Sequence, residues 1–171
     1  MKRICAWCGK ELGEAEVEGD VEHIITHGVC KDCAFHLTAQ AGMKLRDFLE
    51  GLSAPVIAMD ARGKVLAANE KAQGALGVEL AVVEGKLCGD MFECVHATMP
   101  EGCGGTVHCL GCAIRRCVEE THATGESRDK VPAHISRSTP DDTAQIRYVV
   151  STEKAGDIVL MRIDAVDKPA H

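Results

Sequence analysis

Pro55-Val-Ile-Ala-Met-Asp60-Ala-Arg-Gly63-Lys-Val-Leu-Ala-Ala-Asn69 is the stretch on which the fold turns. Two short apolar runs, Pro55 to Asp60 and Lys64 to Asn69, flank Ala61-Arg62-Gly63. That pattern predicts two antiparallel strands closed by a tight hairpin, with glycine where the turn needs a positive φ. Glu70 to Leu76 then reads as a short helix stopped by Gly77, and a loop runs through Gly85-Lys-Leu-Cys-Gly-Asp90.

Downstream, Leu110, Ala113, Ile114, Cys117, Val118 and Thr121 share one helical face, with Arg115, Arg116, Glu119 and Glu120 opposite, and Thr124-Gly125 ends the helix. Three strands are expected after it, over Lys130 to Arg137, Ala144 to Thr152 and Asp157 to Asp164. Pro132 cannot donate to a ladder, so the first belongs at a sheet edge. The continuous apolar run Ile158-Val-Leu-Met161 suits a strand buried on both faces. Ser138 to Asp142 and Glu153 to Gly156 read as polar turns.

Upstream, residues 34–52 read as a connecting helix with Leu37, Ala41, Leu45, Phe48 and Leu52 in one narrow stripe. Such a seam can pack on the following domain or on the same helix of a second chain, so a homodimer is expected as one outcome. Before it, Cys5-Ala-Trp-Cys8 and Cys30-Lys-Asp-Cys33 are two Cys-x2-Cys knuckles, the spacing of a four-cysteine zinc ribbon over residues 1–33. Paired knuckles let four thiolates converge on one ion, and a closed thiolate shell leaves no position for a reacting water, so the zinc is structural. The short polar segment between the knuckles is too small to bury a core, and the metal must supply most of its stability.

A second cysteine-rich stretch spans Cys94, Cys103, Cys109 and Cys112, with His96 and His108 among them, and leads into the helix expected to start near Cys109. Three readings stand side by side. The four thiols can gather around a second zinc or an iron–sulfur cluster, with His96 or His108 as alternate ligands and Cys88 able to join. Two of them can form a reversible disulfide, with a histidine lowering a thiol pKa. They can also be reduced core residues in a glycine-shaped loop. Cys117 falls on the apolar face of the helix and reads as packing. Ala113 stands where a covalent haem motif would need histidine after Cys109-Leu-Gly-Cys112.

The chain has 171 residues, 46% hydrophobic and 26% charged, the balance of a folded protein. A net charge of -7 argues against a surface built for nucleic acid. The first residues lack a signal-peptide pattern and no apolar run reaches bilayer length, so a cytoplasmic location without a membrane partner is expected. In that reducing compartment, ten cysteines point to metal binding or thiol chemistry rather than a disulfide framework.

The hairpin Pro55-Val-Ile-Ala-Met-Asp60 and Gly63-Lys-Val-Leu-Ala-Ala-Asn69, followed by Ala72 and Leu76-Gly77, resembles the opening of a PAS domain, and the likeness can be followed over roughly residues 44–166. The series Glu93-Cys94, Pro100-Glu-Gly-Cys103-Gly and His108-Cys109-Leu-Gly-Cys112-Ala-Ile-Arg115 is similar to a cysteine-rich subset of bacterial PAS sensors. The resemblance implies an α+β fold, an antiparallel sheet with helices over one face, over residues 53–166, with residues 167–171 as a loose tail. It also implies a non-enzymatic sensor that signals through a partner, such as a histidine kinase or regulator, or through dimer rearrangement. A small thiol-disulfide oxidoreductase using Cys109 and Cys112, and a zinc-ribbon adaptor binding protein or nucleic acid, are the alternatives.

Overall fold

In the computed structural model, which describes residues 2–6, 8–14, 25–34, 44–138 and 142–167, the chain divides into two units at Lys44. The first contains a three-stranded sheet: β1 (Lys2–Cys5) pairs antiparallel with β2 (Glu11–Glu14) and parallel with β3 (Ile25–Gly28). Its buried apolar material among the described residues is Cys5, Cys30 and Cys33, with Leu12 packed against them. Three thiols and one leucine cannot offset the chain entropy of such a unit by burial alone. Of the segment between the knuckles, residues 15–24 lie outside the described part.

The second unit opens with the helix Leu45–Glu50, whose anchor is Leu49, fully buried. Leu49 is absent from the expected stripe, in which Leu45, Phe48 and Leu52 are only half-buried and Leu37 and Ala41 lie outside the described residues. A helix under two turns long can point one side chain squarely into a core, and the stripe lies on its flank.

Next come β4 (Val56–Met59) and β5 (Val65–Ala68), antiparallel as expected. In the turn between them, Asp60 Oδ1 accepts from the N–H groups of Arg62 and Lys64, each at 2.9 Å, and Gly63 sits at φ 79°. Three short helices follow, Glu70–Leu76, Leu80–Val83 and Cys88–Met91, then 3-10 turns at Val95–Thr98 and Val107–Gly111, then the long helix Ala113–Thr124. Three strands close the unit: β6 (Arg128–Ser138), β7 (Thr143–Ala155) and β8 (Ile158–Asp167). The sheet order is β5-β4-β8-β7-β6, with every neighbouring pair antiparallel.

This is the PAS-like arrangement that the resemblance implies. Ile57 and Met59, Ile146, Tyr148 and Val150, and Val159, Met161 and Ile163 alternate onto one face, where Ala72, Leu76, Phe92, Ile114 and Val118 of the helical layer meet them. Central β8 buries both faces at Val159, Leu160 and Met161, and Pro132 lies in the edge strand β6, both as read from the sequence. Among the described residues, no helix is long and apolar enough to cross a membrane.

Two boundaries differ from expectation. The long helix begins at Ala113 with Cys112 as its N-cap, so Leu110 belongs to a 3-10 turn and is 87% exposed instead of lying on the buried face. The β7–β8 turn is confined to Gly156-Asp157, because the ladder runs through Ala155 opposite Ile158 and Gly156 supplies the positive φ of 60°. β8 itself continues to Asp167, whose carboxylate meets Arg147 at 2.6 Å, and residues 168–171 lie outside the described part.

Candidate functional site

The ligand atoms of Cys5, Cys8, Cys30 and Cys33 all lie within 4.8 Å of one another. Strand β1 delivers Cys5, its following turn delivers Cys8, and the second knuckle starts a helical turn at residues 31–34. Cys8 Sγ stands 3.7 Å from Cys30 Sγ. A tetrahedral ion with metal–sulfur bonds of roughly 2.3 Å holds its sulfurs about 3.8 Å apart, so the donor set fits one ion. The backbone N–H of Cys30 donates to Cys5 Sγ and that of Cys33 to Cys30 Sγ, each at 3.4 Å, the support a thiolate ligand needs. Burial pushes the Cys30 and Cys33 thiols up, so without a cation the unit keeps those protons. The four cysteines can hold a metal ion.

The second cysteine-rich stretch wraps a cavity of about 220 Å³ between the long helix, the loop before it and edge strand β6. Cys94, Cys103, Cys109 and Cys112 all line it, together with His96 and His108. The two imidazoles stack, ring centres 4.2 Å apart and planes 13° apart. Among the described residues the four N-terminal cysteines are the group of three or more Cys, His or acidic donors that gathers as a single-ion site, and the donors of this cavity do not form a second one.

Each thiol has its own electrostatic setting. Cys103 is lowered to about 6, first by the hydrogen bond from Cys88, with the Gly89 amide and Arg115 adding to it against burial. Cys88, its buried partner, is pushed up by that same hydrogen bond and by desolvation, so the pair divides into a protonated donor and a ready thiolate. Burial raises Cys94 and Cys112, while backbone amides of His96 and Ala97, and of Ile114 and Arg115, pull the other way. Cys109 overcomes its burial through Thr106 and Gly104 and is lowered. The Gly104 N–H donates to Cys109 Sγ at 3.1 Å, and Thr106 Oγ1 lies 3.3 Å from that sulfur.

Several participants were not read from the sequence as part of this site. His134 and Ser136 reach the cavity from β6, and only the fold brings them there. Cys94 bridges backbone to backbone with Arg137, and the Arg137 guanidinium pairs with Glu93. Glu93 holds φ 50°, left-handed backbone that a non-glycine residue adopts at some cost, at the junction between loop and sheet edge. Arg115 is tied to Glu119 at 2.6 Å, and its guanidinium fills the space a side chain at Gly104 would need.

Gly89 packs against Cys103 with no room for a side chain. A Cβ there would stand 2.8 Å from Cys103 Sγ and 3.0 Å from Ala97 Cβ. Gly89→Ala should therefore displace Cys103 and cost about 1–3 kcal/mol in denaturant unfolding, the usual penalty of overpacking. Gly74→Ala, on an exposed helical position with open space around it, should be neutral or stabilising by about 0.5–1 kcal/mol. Equal responses from the two variants would contradict the packing described.

No family model and no curated protein matches the chain. Solved PAS-type structures resemble it at low identity. The PAS domain of an HTR-like protein from Haloarcula marismortui is 14% identical, covering 80% of this chain and 98% of its own, with a TM-score of 0.44. The photoactive yellow protein domain from the sensor histidine kinase Ppr of Rhodospirillum centenum is 13% identical over 73% of this chain and 96% of its own, with a TM-score of 0.43. The PAS domain of the Cronobacter turicensis quorum-sensing receptor RpfR, in complex with C12:0, is 14% identical over 70% and 96%, with a TM-score of 0.41. Such likeness concerns fold alone, and the antiparallel order β5-β4-β8-β7-β6 is what carries the PAS-like assignment.

Proposed function

We propose that the chain is a non-enzymatic cytoplasmic sensory protein in which four N-terminal cysteines hold a structural zinc and the thiol-lined cavity of the PAS-like unit is the sensing site. One observation carries this reading: five thiols, those of Cys88, Cys94, Cys103, Cys109 and Cys112, face a single cavity whose wall includes an edge strand. A change of occupancy or oxidation state among them moves the loop, and the Cys94–Arg137 bridge and Glu93–Arg137 pair pass that movement to β6. An edge strand is where a partner, a histidine kinase or regulator, or a second copy can read it. The antiparallel sheet also favours this reading over a thiol oxidoreductase, whose Cys-x2-Cys belongs to a βαβ frame.

The test is amide hydrogen exchange of the protein as isolated and of the Cys109→Ser, Cys112→Ser double variant. Exchange in Arg128–Ser138 should change about tenfold or more while β8, at the sheet centre, stays protected. Unchanged exchange throughout β6 would remove the coupling on which the sensory reading depends.

A further inference from the structure

Four cysteines line one cavity, and one of their sulfurs receives a backbone N–H, which is more than idle core thiols need. A single thiolate-bound tetrahedral ion needs sulfurs about 3.8 Å apart. The first unit meets that requirement, and among the described residues no second group of three or more Cys, His or acidic donors gathers as a single-ion site. The volume enclosed, about 220 Å³, is likewise several times the share of one water, roughly 30 Å³. A group with several metal centres sets its ligands farther apart than one ion does, because the ligands attach at different metals.

The local backbone is also arranged for anionic sulfur. Cys109 Sγ takes the Gly104 N–H, and backbone amides approach each of the other three: His96 and Ala97 at Cys94, Gly89 at Cys103, Ile114 and Arg115 at Cys112. N–H groups directed at sulfur are one of the means by which a protein stabilises and tunes a thiolate cluster. The Arg115 guanidinium, lodged against Gly104, supplies positive charge beside them. Finally, His96 Nδ1 is buried with no hydrogen-bond partner, although its ring lines the cavity. A buried orphan nitrogen calls for an explanation, and a bound inorganic sulfide supplies the missing acceptor for its N–H.

We propose that Cys94, Cys103, Cys109 and Cys112 hold a polynuclear iron–sulfur cluster in this cavity, with Cys88 and His96 as hydrogen-bond donors around it. The inference rests on the cavity being the sensing site. It assigns that site a cofactor of four-thiolate type, and binding displaces the protons that any of those four sulfurs still carries.

The full chain, purified without oxygen or reconstituted anaerobically with ferrous and ferric iron and inorganic sulfide, should be brown and carry iron and acid-labile sulfide in equal amounts. Each of Cys94→Ser, Cys103→Ser, Cys109→Ser and Cys112→Ser should lower cluster content about tenfold or more, with far-UV circular dichroism unchanged. Cys5→Ser, in the other unit, should leave iron and sulfide as they are. His96→Ala should keep the cluster and shift its reduction potential, which a purely structural histidine would not do. A colourless protein after reconstitution, a second bound zinc in place of iron, or full cluster content in the four serine variants would each overturn the assignment. Exchange in β6 is scored separately: a cluster-bearing protein whose β6 ignores cluster loss sinks the sensory reading alone, and a colourless one whose β6 responds to thiol substitution sinks the cluster alone.

Discussion

Replacing Cys30 by serine is expected to release the metal of the N-terminal unit and unfold that unit, leaving the unfolding transition of the PAS-like unit in place. Cys30 is buried, lies 3.7 Å from Cys8 Sγ, and receives the Cys33 N–H on its own sulfur. The serine hydroxyl is a poor ligand at this position and leaves three thiolates around an open coordination site. What remains is weak. The described core is three thiols and a leucine, and the Lys10–Asp32 ion pair, 3.9 Å long and largely exposed, contributes little. Structural zinc in small modules contributes about 10–16 kcal/mol at neutral pH, which is more than such a core can replace. Acidification should act in the same direction. Metal binding needs four thiolates and burial already holds Cys30 and Cys33 toward their protonated forms, so affinity falls as the pH falls. Metal analysis of the purified variant, with limited proteolysis to follow residues 1–44, checks both statements. Full metal content in Cys30→Ser, or an N-terminal unit that resists proteolysis without metal, would refute the account.

Legibility in the sequence followed the range of the interactions. The hairpin was readable because its determinants are local: Asp60 caps the N–H groups of Arg62 and Lys64 two and four residues on, and Gly63 takes the positive φ. The four-cysteine centre was readable because the knuckle spacing is itself the ligand geometry. The start of the long helix was not. Leu110 continues the apolar spacing of Ile114, Cys117 and Val118 backward, and Cys112 makes no side-chain cap to mark the true beginning. The Cys88–Cys103 pair and the β6 wall of the cavity were invisible for a different reason. Each joins residues far apart in the chain, and only the folded sheet sets His134 and Ser136 opposite the loop. Leu49 shows the limit of periodicity in a short helix: the stripe located the helix and missed the side chain that anchors it.

Asn69 is the largest such omission, because in the sequence it only closes an apolar run, and its substitution should be costly. The side chain is fully buried. Its Oδ1 accepts from the N–H groups of Val56 and Ala72, each at 3.0 Å, which caps the helix Glu70–Leu76 and ties it to β4. Its Nδ2 donates to Leu49 O at 3.1 Å and Ala54 O at 2.8 Å, which fastens the opening helix and its connection to the same point. One amide therefore satisfies four backbone groups from four segments. Asn69→Leu keeps the volume and strands the Val56 N–H and the Ala54 carbonyl, because the Ala72 N–H keeps the Asn69 carbonyl at 3.1 Å and Leu49 O keeps the Leu52 N–H at 3.0 Å, and each buried orphan costs about 1–3 kcal/mol. With partial relaxation the loss should be about 2–4 kcal/mol, a large part of the roughly 5–15 kcal/mol that holds a domain together. At a few degrees per kcal/mol, the melting temperature should fall by about 10–20 °C. Asn69→Asp separates the two halves of the role. It keeps both acceptor functions and loses both donors, and its carboxylate faces the two carbonyl oxygens without water. That charge is disfavoured in the folded state, so the folded pKa rises above the unfolded value. The deficit of Asn69→Asp is accordingly greatest at neutral pH and narrows as the pH falls through the folded pKa, where the protonated carboxyl can again donate to one carbonyl. Thermal melts of both variants at neutral and mildly acidic pH decide the matter: Asn69→Leu within about 1 kcal/mol of the parent would deny the four-way junction its weight, and an Asn69→Asp deficit independent of pH would deny the donors theirs.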